Sequence, residues 1–318
     1  MLQVFPDYYK DFSCIAGKCR HSCCIGWEID VDEETLRYYD GVTGELGERL
    51  KRCIDRSGET PHFVLGKDER CPFLNGENLC DIYAGLGEEH LCQICTDHPR
   101  FRCELPGRVE TGLGLCCEAA GQLILGRTEP MTLVYEGEEE TEDETVALRD
   151  QVIALLQDRT KPVALRVEEM LVFCGGTLGE RTVPEWAEEL LELERLEEDW
   201  TVLLEEMRDI PADLAAFDRH MADRETEYEQ FLVYLVYRHL ANAADEPDLA
   251  ARAGFAALGW TVLRVLGALQ WRRQGSFSFD DQVELARRFS AEIEYSDENL
   301  EAVFDILAEA STGDAFLG

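Results

Sequence analysis

The sequence lacks the features that would place it in or across a membrane. It contains no run of about 18 or more apolar residues, and its start, MLQVFPDYYKDFSC, has aspartates instead of the basic and then apolar pattern of a secretory signal. Positive charge is also scarce, because 30 lysines and arginines stand against 66 aspartates and glutamates. The resulting net charge of −36 repels phosphate backbones. We therefore expect a cytoplasmic protein with no membrane span and no nucleic-acid partner.

Two common enzyme motifs are also missing. The usual cluster loop of radical S-adenosylmethionine enzymes needs Cys-x3-Cys-x2-Cys, but the position that should follow Cys19 and Cys23 is Gly26. Nor does the chain show a strand, a Gly-x-Gly turn and a helix within a series of βα units. These absences argue against a radical enzyme of the usual kind and against a Rossmann-type methyltransferase or dehydrogenase.

Cysteine is almost absent from the C-terminal part, where Cys174 stands alone, whereas 12 of the 13 cysteines lie before residue 118. We therefore predict a cysteine-rich, metal-binding domain at residues 1–125 and an acidic helical domain at residues 126–318. The first contains 13 basic and 22 acidic residues, a net −9, which leaves −27 for the second. Such acidity is typical of a solvated helical surface. It would also suit a face that attracts a basic substrate, such as lysines on another protein.

The apolar pattern predicts a mainly α fold, with short helices and minor strands in a metal-stapled N-terminal region and an all-helical C-terminal domain. The predicted segments are helices at 32–40, 44–56, 185–207, 225–243, 254–273, 283–293 and 298–309, strands at 62–65 and 108–111, and an acidic linker at 136–144. We expect Asp281 and Glu284 to form a capping box before one helix and Ser296 to cap the last. Because the N-terminal region has few long apolar runs, a bound metal would supply folding free energy there.

The cysteine spacing is irregular. It reads Cys14-x4-Cys19-x3-Cys23-Cys24, then Cys71-x8-Cys80, Cys92-x2-Cys95, Cys103 and Cys116-Cys117, with Cys53 between the first two blocks. A reducing cytosol and an odd total argue against a disulfide framework. Zinc prefers repeated knuckles, whereas an iron–sulfur cluster also takes four thiolates and accepts ligands from distant loops. Adjacent cysteines cannot easily bind one ion, so one member of each pair is interpreted as a small buried hydrophobe. The spacing indicates a metal and leaves its identity open, although we expect an iron–sulfur cluster.

Several blocks of this sequence resemble the flagellin lysine-N-methylase (FliB) family. They are FSCIAGKCRHSCCIGW ending at Trp27, CPFLNGENLCDIY from Cys71, GLGEEHL from Gly85, CTDHPR ending at Arg100, LGLCCEAA ending at Ala120, and YEQFLVYLVYRHL from Tyr228. The first five cover most of the first 120 residues, and they are specific jointly. A broader group of zinc- or iron-chelating domains shares the Cys-Cys element and the Cys-x-Phe-Leu…Cys-x-Ile-Tyr element, but its members are shorter than this chain.

The resemblance implies transfer of a methyl group from S-adenosylmethionine to lysines of flagellin, dependent on a [4Fe–4S] cluster. Motif cysteines of the family fall on Cys14, Cys19, Cys23, Cys24, Cys71, Cys80, Cys95 and Cys116. A subset of four would hold the cluster. The remaining cysteines, Cys53, Cys92, Cys103, Cys117 and Cys174, lie outside the pattern.

Direct methyl transfer needs a neutral lysine amine aligned with the sulfonium methyl, although a free lysine has a pKa of about 10.4. Aromatic faces and a proton acceptor would help. The candidates are Tyr228, Tyr234, Tyr237 and His98 for catalysis and Trp27 for cofactor binding. Each has a structural alternative: Trp27 would pack over the cysteines, the Tyr228 stripe would face the core, and His98 would cap a turn.

Two other functions stay open from the sequence. The first is a non-enzymatic iron–sulfur or zinc-binding protein with a helical partner-binding domain. The second is a redox enzyme that uses Cys92 and Cys95 as a dithiol, which we rank last because no thioredoxin-like βαβ pattern accompanies the pair.

Overall fold

The computed structural model describes residues 1–138 and 143–313 and divides into two compact units. The cysteine unit contains Ser13–Phe101 and Cys117–Ala119. The helical unit contains Met1–Phe12, Arg102–Cys116 and the chain from Ala120 onward. These bounds do not coincide with the sequence division at residue 125, because the first residues of the chain form a strand within the sheet of the helical unit. The functional domains at 1–125 and 126–318 stay a prediction.

The cysteine unit consists of short elements around a small apolar core. Its helices are α1 (Glu33–Gly41), α2 (Gly44–Cys53), α3 (Asp81–Leu86) and α4 (Gln93–Asp97), and its strands are β2 (Ile54–Asp55) and β3 (His62–Phe63), which pair antiparallel. Asp32 begins α1 by accepting a hydrogen bond from the Thr35 amide. Helix α2 ends before the predicted residue 56 because the chain turns directly into β2. Tyr39, Leu50 and Phe73 are fully buried between these elements.

A four-stranded sheet supports the helical unit. It contains β1 (Leu2–Pro6), β4 (Arg100–Leu105), β5 (Arg108–Leu113) and β6 (Leu133–Glu136), in the order β4-β5-β1-β6. Strand β1 runs parallel to β5 and antiparallel to β6. The predicted strand at 108–111 is confirmed as part of β5. The expectation that residues 126–318 are all helical is wrong, since β6 completes the sheet there.

The prediction of a mainly α fold is confirmed. The remaining helices are α5 (Glu118–Leu125), α6 (Glu144–Leu156), α7 (Val163–Cys174), α8 (Val183–Leu191), α9 (Glu198–Asp209), α10 (Leu214–Met221), α11 (Glu225–His239), α12 (Glu246–Gln274), α13 (Phe279–Phe289) and α14 (Asp297–Gly313). A five-residue π-helix, Ser290–Glu294, links the last two. The helices predicted at 225–243 and 254–273 correspond to α11 and to part of α12.

Helix α12 forms the centre of the helical unit. Its side chains Phe255, Leu258, Val262 and Leu266 are buried, and α7, α11, α13 and α14 pack around it. Within the described part of the chain, it is long and apolar enough to cross a membrane, but 78% of its most apolar window is buried inside the protein. A helix buried in the core of its own protein can have the same length and apolar composition, so this helix does not contradict the expectation of no membrane span.

Three predicted details change in the structure. The predicted helix 185–207 is two helices, α8 and α9, because the Glu292 carboxylate accepts hydrogen bonds from the amides of Leu196 and Glu197 and stabilises a break there. The capping box of α13 is formed by Ser278 and Asp281, not by Asp281 and Glu284: Ser278 is the N-cap, and Asp281 is the third residue of the helix. Ser296 does cap α14, since its hydroxyl accepts from the Asn299 amide. Of the predicted linker 136–144, residues 139–142 lie outside the described residues.

Candidate functional site

Five cysteines of the cysteine unit lie in or against its apolar core. We call them the inner thiol group: Cys24, Cys71, Cys80, Cys92 and Cys95. All five pack with this core, and the buried Cys71 interacts electrostatically with Cys24, Cys80 and Cys92, as Cys95 does with Cys24 and Cys71. The backbone joins blocks far apart in sequence, because the Cys71 amide donates to the Cys24 carbonyl oxygen at 2.8 Å. Four of these five residues are cysteines of the family pattern, and Cys92 is an addition.

The thiols of the inner group differ in acidity. Burial raises the pKa of Cys71 to about 12. The pKa of Cys92 is lowered, chiefly by a hydrogen bond with Cys95, and the Tyr39 hydroxyl, 3.8 Å from the Cys92 Sγ, adds to this effect. A hydrogen bond with Cys23 lowers the pKa of Cys24 to about 7. Thiolates, not thiols, bind metals, so this group contains thiols whose neighbours already favour the ligating form.

Four further cysteines form a second collection, which we call the outer thiol group: Cys14, Cys19, Cys23 and Cys117. Cys19 and Cys23 each interact electrostatically with Cys14 and Cys117. The buried Glu118 carboxylate fixes this arrangement, because it accepts hydrogen bonds from the Arg20 amide at 2.9 Å and the Arg20 Nε at 2.8 Å. The Cys19 thiol also lies 3.8 Å from a Glu118 oxygen. Cys14 is exposed, whereas the other three are partly buried.

The other four cysteines are Cys53, Cys103, Cys116 and Cys174. Cys53 packs against the core of the cysteine unit. Cys103, Cys116 and Cys174 belong to the helical unit, where the Cys103 thiol donates to the Arg238 carbonyl oxygen and Cys116 interacts with the Tyr295 hydroxyl. The family cysteine Cys116 therefore lies in one unit, and its neighbour Cys117 lies in the other.

The candidate metal ligands of the cysteine unit are thiols. Among residues 1–138 and 143–313, no three His, Cys, Asp or Glu side chains converge closely enough to hold one metal ion. A zinc ion would draw four sulfurs to about 2.3 Å from itself, whereas several iron atoms hold their thiolates further apart. Both groups consist of thiols only, which is the donor set of an iron–sulfur cluster. The donor types therefore fit the cluster that the sequence resemblance implies, and they fit a four-thiolate zinc site equally.

Trp27 and His98 are neighbours in the cysteine unit. Their rings lie 6.4 Å apart between centroids. Burial, with the charge of Arg100, lowers the pKa of His98 to about 4, so its imidazole is neutral at pH 7. The pair therefore offers an aromatic face beside an uncharged nitrogen base.

The three candidate tyrosines lie on α11 in the helical unit, and all are buried. Tyr237 donates to the Thr111 carbonyl oxygen at 3.0 Å and so ties the helix to the sheet. The Tyr228 hydroxyl is buried and has no hydrogen-bond partner within the described residues. Burial raises the pKa of each of the three. None of them is a ready proton acceptor in this structure.

Tyr234 belongs to a larger assembly that we call the Glu294 network, made of Tyr234, Arg238, His239, Ser290 and Glu294. The Glu294 side chain has no exposed surface, and Tyr234, His239 and Ser290 each contact its carboxylate at 2.8 Å or less. Burial alone would raise the pKa of Glu294, but the Arg238 guanidinium and the contacts with His239 and Ser290 together outweigh it and lower the pKa to about 2. Because the Tyr234 hydroxyl also accepts from the Leu115 amide at 3.2 Å, the network positions the segment that precedes Cys116.

The position of Gly114 depends on the same network. A Cβ atom there would lie 1.7 Å from the Tyr295 hydroxyl oxygen, and the Tyr295 ring stacks under Arg238 at 4.5 Å. Sequence reasoning missed Arg238, Glu294 and Tyr295. A signal was present, because Glu292 and Glu294 alternate with the apolar residues Ala291 and Ile293 just after α13. A carboxylate on a core-facing position needs a buried partner.

An open groove lies on the acidic surface of the helical unit. Its volume is about 540 Å³, and it is lined by Arg181, Glu185, Glu188, Glu189, Leu191, Glu192 and Arg208. Arg181 pairs with Glu189 at 3.0 Å, and Glu185 caps α8, so Glu188 and Glu192 supply the charge that remains for a ligand. The groove illustrates the acidic surface that the composition predicts.

Parts of the chain are similar to known proteins. Residues 177–317 match the model of the FliB lysine N-methylase C-terminal domain. Over 137 residues, the chain is 29% identical to the lysine-N-methylases of Salmonella choleraesuis (strain SC-B67) and Salmonella typhimurium (strain LT2), an alignment that covers 40% of this chain and 33% of each relative. It is 28% identical over 137 residues to the flagellar biosynthetic protein FliU of Salmonella muenchen, of which 79% is covered. The match thus spans about a third of the length of the two lysine-N-methylases. No solved structure matches the chain.

Proposed function

Because the chain is related to the FliB family, as its sequence blocks indicate, we propose that it is a protein-lysine N-methyltransferase that transfers a methyl group from S-adenosylmethionine to flagellin. The observation that carries this proposal is the match of residues 177–317 to the FliB C-terminal domain. The flagellar name of the FliU relative supports flagellin as the substrate. That matched segment contains all three candidate tyrosines and all five residues of the Glu294 network.

The proposal includes a [4Fe–4S] cluster, held by four thiols of the cysteine unit. The inner thiol group is the better candidate, because two of its five members, Cys71 and Cys92, are buried and four belong to the family pattern. Such a cluster would add folding free energy to the small core of this unit, and it would offer iron sites for electron transfer or ligand binding.

S-Adenosylmethionine supplies an electrophilic methyl group, and the protein must present a neutral lysine to it. His98 has a pKa of about 4, so direct proton transfer from a lysine of pKa about 10.4 would cost about 9 kcal/mol. The buried tyrosines have raised pKa values and offer no stronger base. We therefore expect the enzyme to lower the lysine pKa by desolvation, which disfavours the charged amine. Trp27 would then provide an aromatic face for the cationic partner.

The test is a methylation assay with anaerobically purified protein, S-adenosylmethionine and unmodified flagellin, read by mass spectrometry of flagellin peptides. Added methyl groups on lysines are the expected result. Trp27→Ala should reduce the rate at least tenfold, whereas Trp260→Phe, a change in the helical unit, should leave it within about twofold. Absence of methylation by protein with an intact cluster would overturn the proposal and favour a non-enzymatic metal-binding protein with a helical partner surface.

A further inference from the structure

Helix α7 presents an apolar stripe on its water-facing side. Leu165, Val172 and Phe173 are exposed there, and Val172, at 82%, is more exposed than any other large apolar side chain among residues 1–138 and 143–313. The three positions share one side of the helix, because seven residues make almost two full turns. Single apolar side chains on a surface are common, whereas several on one face mark an interaction site.

The stability of α7 does not explain Val172. Valine is a weaker helix former than leucine or alanine, because a helix restricts its branched side chain, and an exposed valine gains little from burial. The opposite side of the helix supplies the packing, since Val167 and Met170 are buried and the buried Arg166 pairs with Glu229 at 2.8 Å. The exposed stripe therefore serves a contact outside the fold of the chain.

We propose that this stripe, together with Glu168, binds a basic segment of flagellin that also carries apolar side chains. We call the four residues Leu165, Glu168, Val172 and Phe173 the α7 face. The inference rests on the proposed function, because it takes flagellin as the partner. It adds a binding surface that lies outside residues 177–317, the segment that matches the FliB C-terminal domain.

The charges of α7 indicate that the partner is basic. The Glu168 carboxylate is exposed, and it pairs with no cation within the part of the chain that the structure describes. The nearby Lys161 is already bound to Glu169 at 2.7 Å. The last turn of α7 contains no basic residue, so the partial negative charge of the helix C-terminus is not balanced there. A lysine or arginine of the partner would balance these charges while its apolar neighbours cover Val172 and Phe173.

A second copy of the chain suits the α7 face less well. Each copy has a net charge of −36, so two copies repel each other. A two-fold contact would also place the same surface opposite itself. The exposed positions in the middle of the adjacent helix α6 are uncharged, so they offer no cation to Glu168 of the other copy; they are Ala147, Gln151 and Ala154.

The first test is binding of labelled, unmodified flagellin to the full chain, measured by fluorescence anisotropy. The double variant Val172→Ser/Phe173→Ser should raise the Kd about tenfold or more, because it removes the apolar anchors of the contact. The matched control is Val202→Ser on α9, since Val202 is also a helix valine and is 51% exposed; its Kd should change by less than about twofold. Val172→Ser alone should also raise the Kd, and circular dichroism should show that this change at an exposed position leaves the helices intact.

The second test separates a local contact from long-range attraction. Glu168→Lys and Glu205→Lys are both changes at exposed positions on helices of the helical unit, and both alter the net charge by the same amount. Long-range attraction should weaken equally in the two variants. A cation bound at the α7 face predicts a clearly larger rise in Kd for Glu168→Lys. In the methylation assay, the double variant should raise KM for intact flagellin and leave kcat and the methylation of a short lysine peptide unchanged.

Several outcomes would overturn binding at the α7 face. They are an unchanged Kd in the double variant, an equal loss of affinity in Val202→Ser, equal effects of the two lysine substitutions, or a dimer of the unaltered chain that the double variant dissociates in sedimentation. Anisotropy does not depend on methyl transfer. Flagellin that binds through α7 without being methylated would therefore refute the proposed activity alone, whereas methylation with an unchanged KM in the double variant would refute the α7 face alone.

Discussion

Replacing Glu294 by glutamine should be among the most damaging changes of a single functional group in the helical unit. The fully buried carboxylate faces Arg238 and accepts hydrogen bonds from Tyr234, His239 and Ser290. Glutamine keeps the shape but removes the charge, so Arg238 would be left buried without its counter-ion. The reduction of the Glu294 pKa from 4.5 to about 2 corresponds to about 3 kcal/mol of stability at pH 7. Breaking a buried pair by removing one partner costs a similar amount, about 3–5 kcal/mol.

The stability lost by Glu294→Gln should depend on pH in a defined direction. A carboxylate whose pKa is lower in the folded state stabilises the protein above its unfolded pKa, and this contribution disappears as the pH falls through the folded value. The difference between the unaltered protein and Glu294→Gln should therefore be constant from pH 7 to about 5 and shrink between about 4.5 and 2. His239 also contacts this carboxylate, and burial lowers the pKa of its imidazole.

The assay is urea unfolding at pH 7, 5, 4 and 3.5, followed by tryptophan fluorescence. In a Trp27→Phe background, all remaining tryptophans report on the helical unit, which separates its unfolding from that of the cysteine unit. The matched control is Glu292→Gln, on the same π-helix. Burial raises the pKa of Glu292, so a protein without this carboxylate should still lose stability as the pH falls through the pKa range of Glu294. If Glu294→Gln lies within about 1 kcal/mol of the unaltered protein at pH 7, the ion pair is not what stabilises this region.

Three further predictions concern packing, metal and charge. Gly114→Ala should lower the free energy of unfolding, measured in urea, by about 1–3 kcal/mol, because the new Cβ would overlap the Tyr295 hydroxyl. Adding Tyr295→Ala should recover part of that loss, whereas strictly additive effects of the two substitutions would contradict the overlap. Protein purified without oxygen should be brown and contain iron and sulfide. Cys71→Ser should lose colour and solubility, whereas Cys174→Ser, outside both thiol groups, should change neither. Colourless protein with stoichiometric zinc would refute the cluster. The kcat/KM for flagellin should fall as the salt concentration rises, while kcat at saturating flagellin stays constant. The reason is that the −27 charge of residues 126–318 attracts a basic substrate only within a Debye length of about 8 Å at physiological salt. A kcat/KM that does not change with salt would refute electrostatic steering.

The sequence by itself determined the helical character of the chain and the chemistry of its first part. Periodic apolar residues predict α11 and α12, because a helix that packs by one face must repeat that face every three to four positions. Cysteine content and spacing predict thiols suited to metal, and the short motif blocks identify the FliB resemblance. These features are local, so they can be deduced without knowing which segments meet.

Only the tertiary structure decided which residues act together. The break between α8 and α9 depends on Glu292, and the inner and outer thiol groups depend on the Cys24–Cys71 and Arg20–Glu118 contacts. Each of these interactions joins residues 45 or more positions apart, so the local pattern contains no trace of them. Neighbours in sequence also meet different partners: Cys23 interacts with Cys14 and Cys117, whereas the Cys24 backbone contacts Cys71. Hydrogen bonds and charges act over a few ångströms of space, and only the folded chain brings those groups within reach of one another.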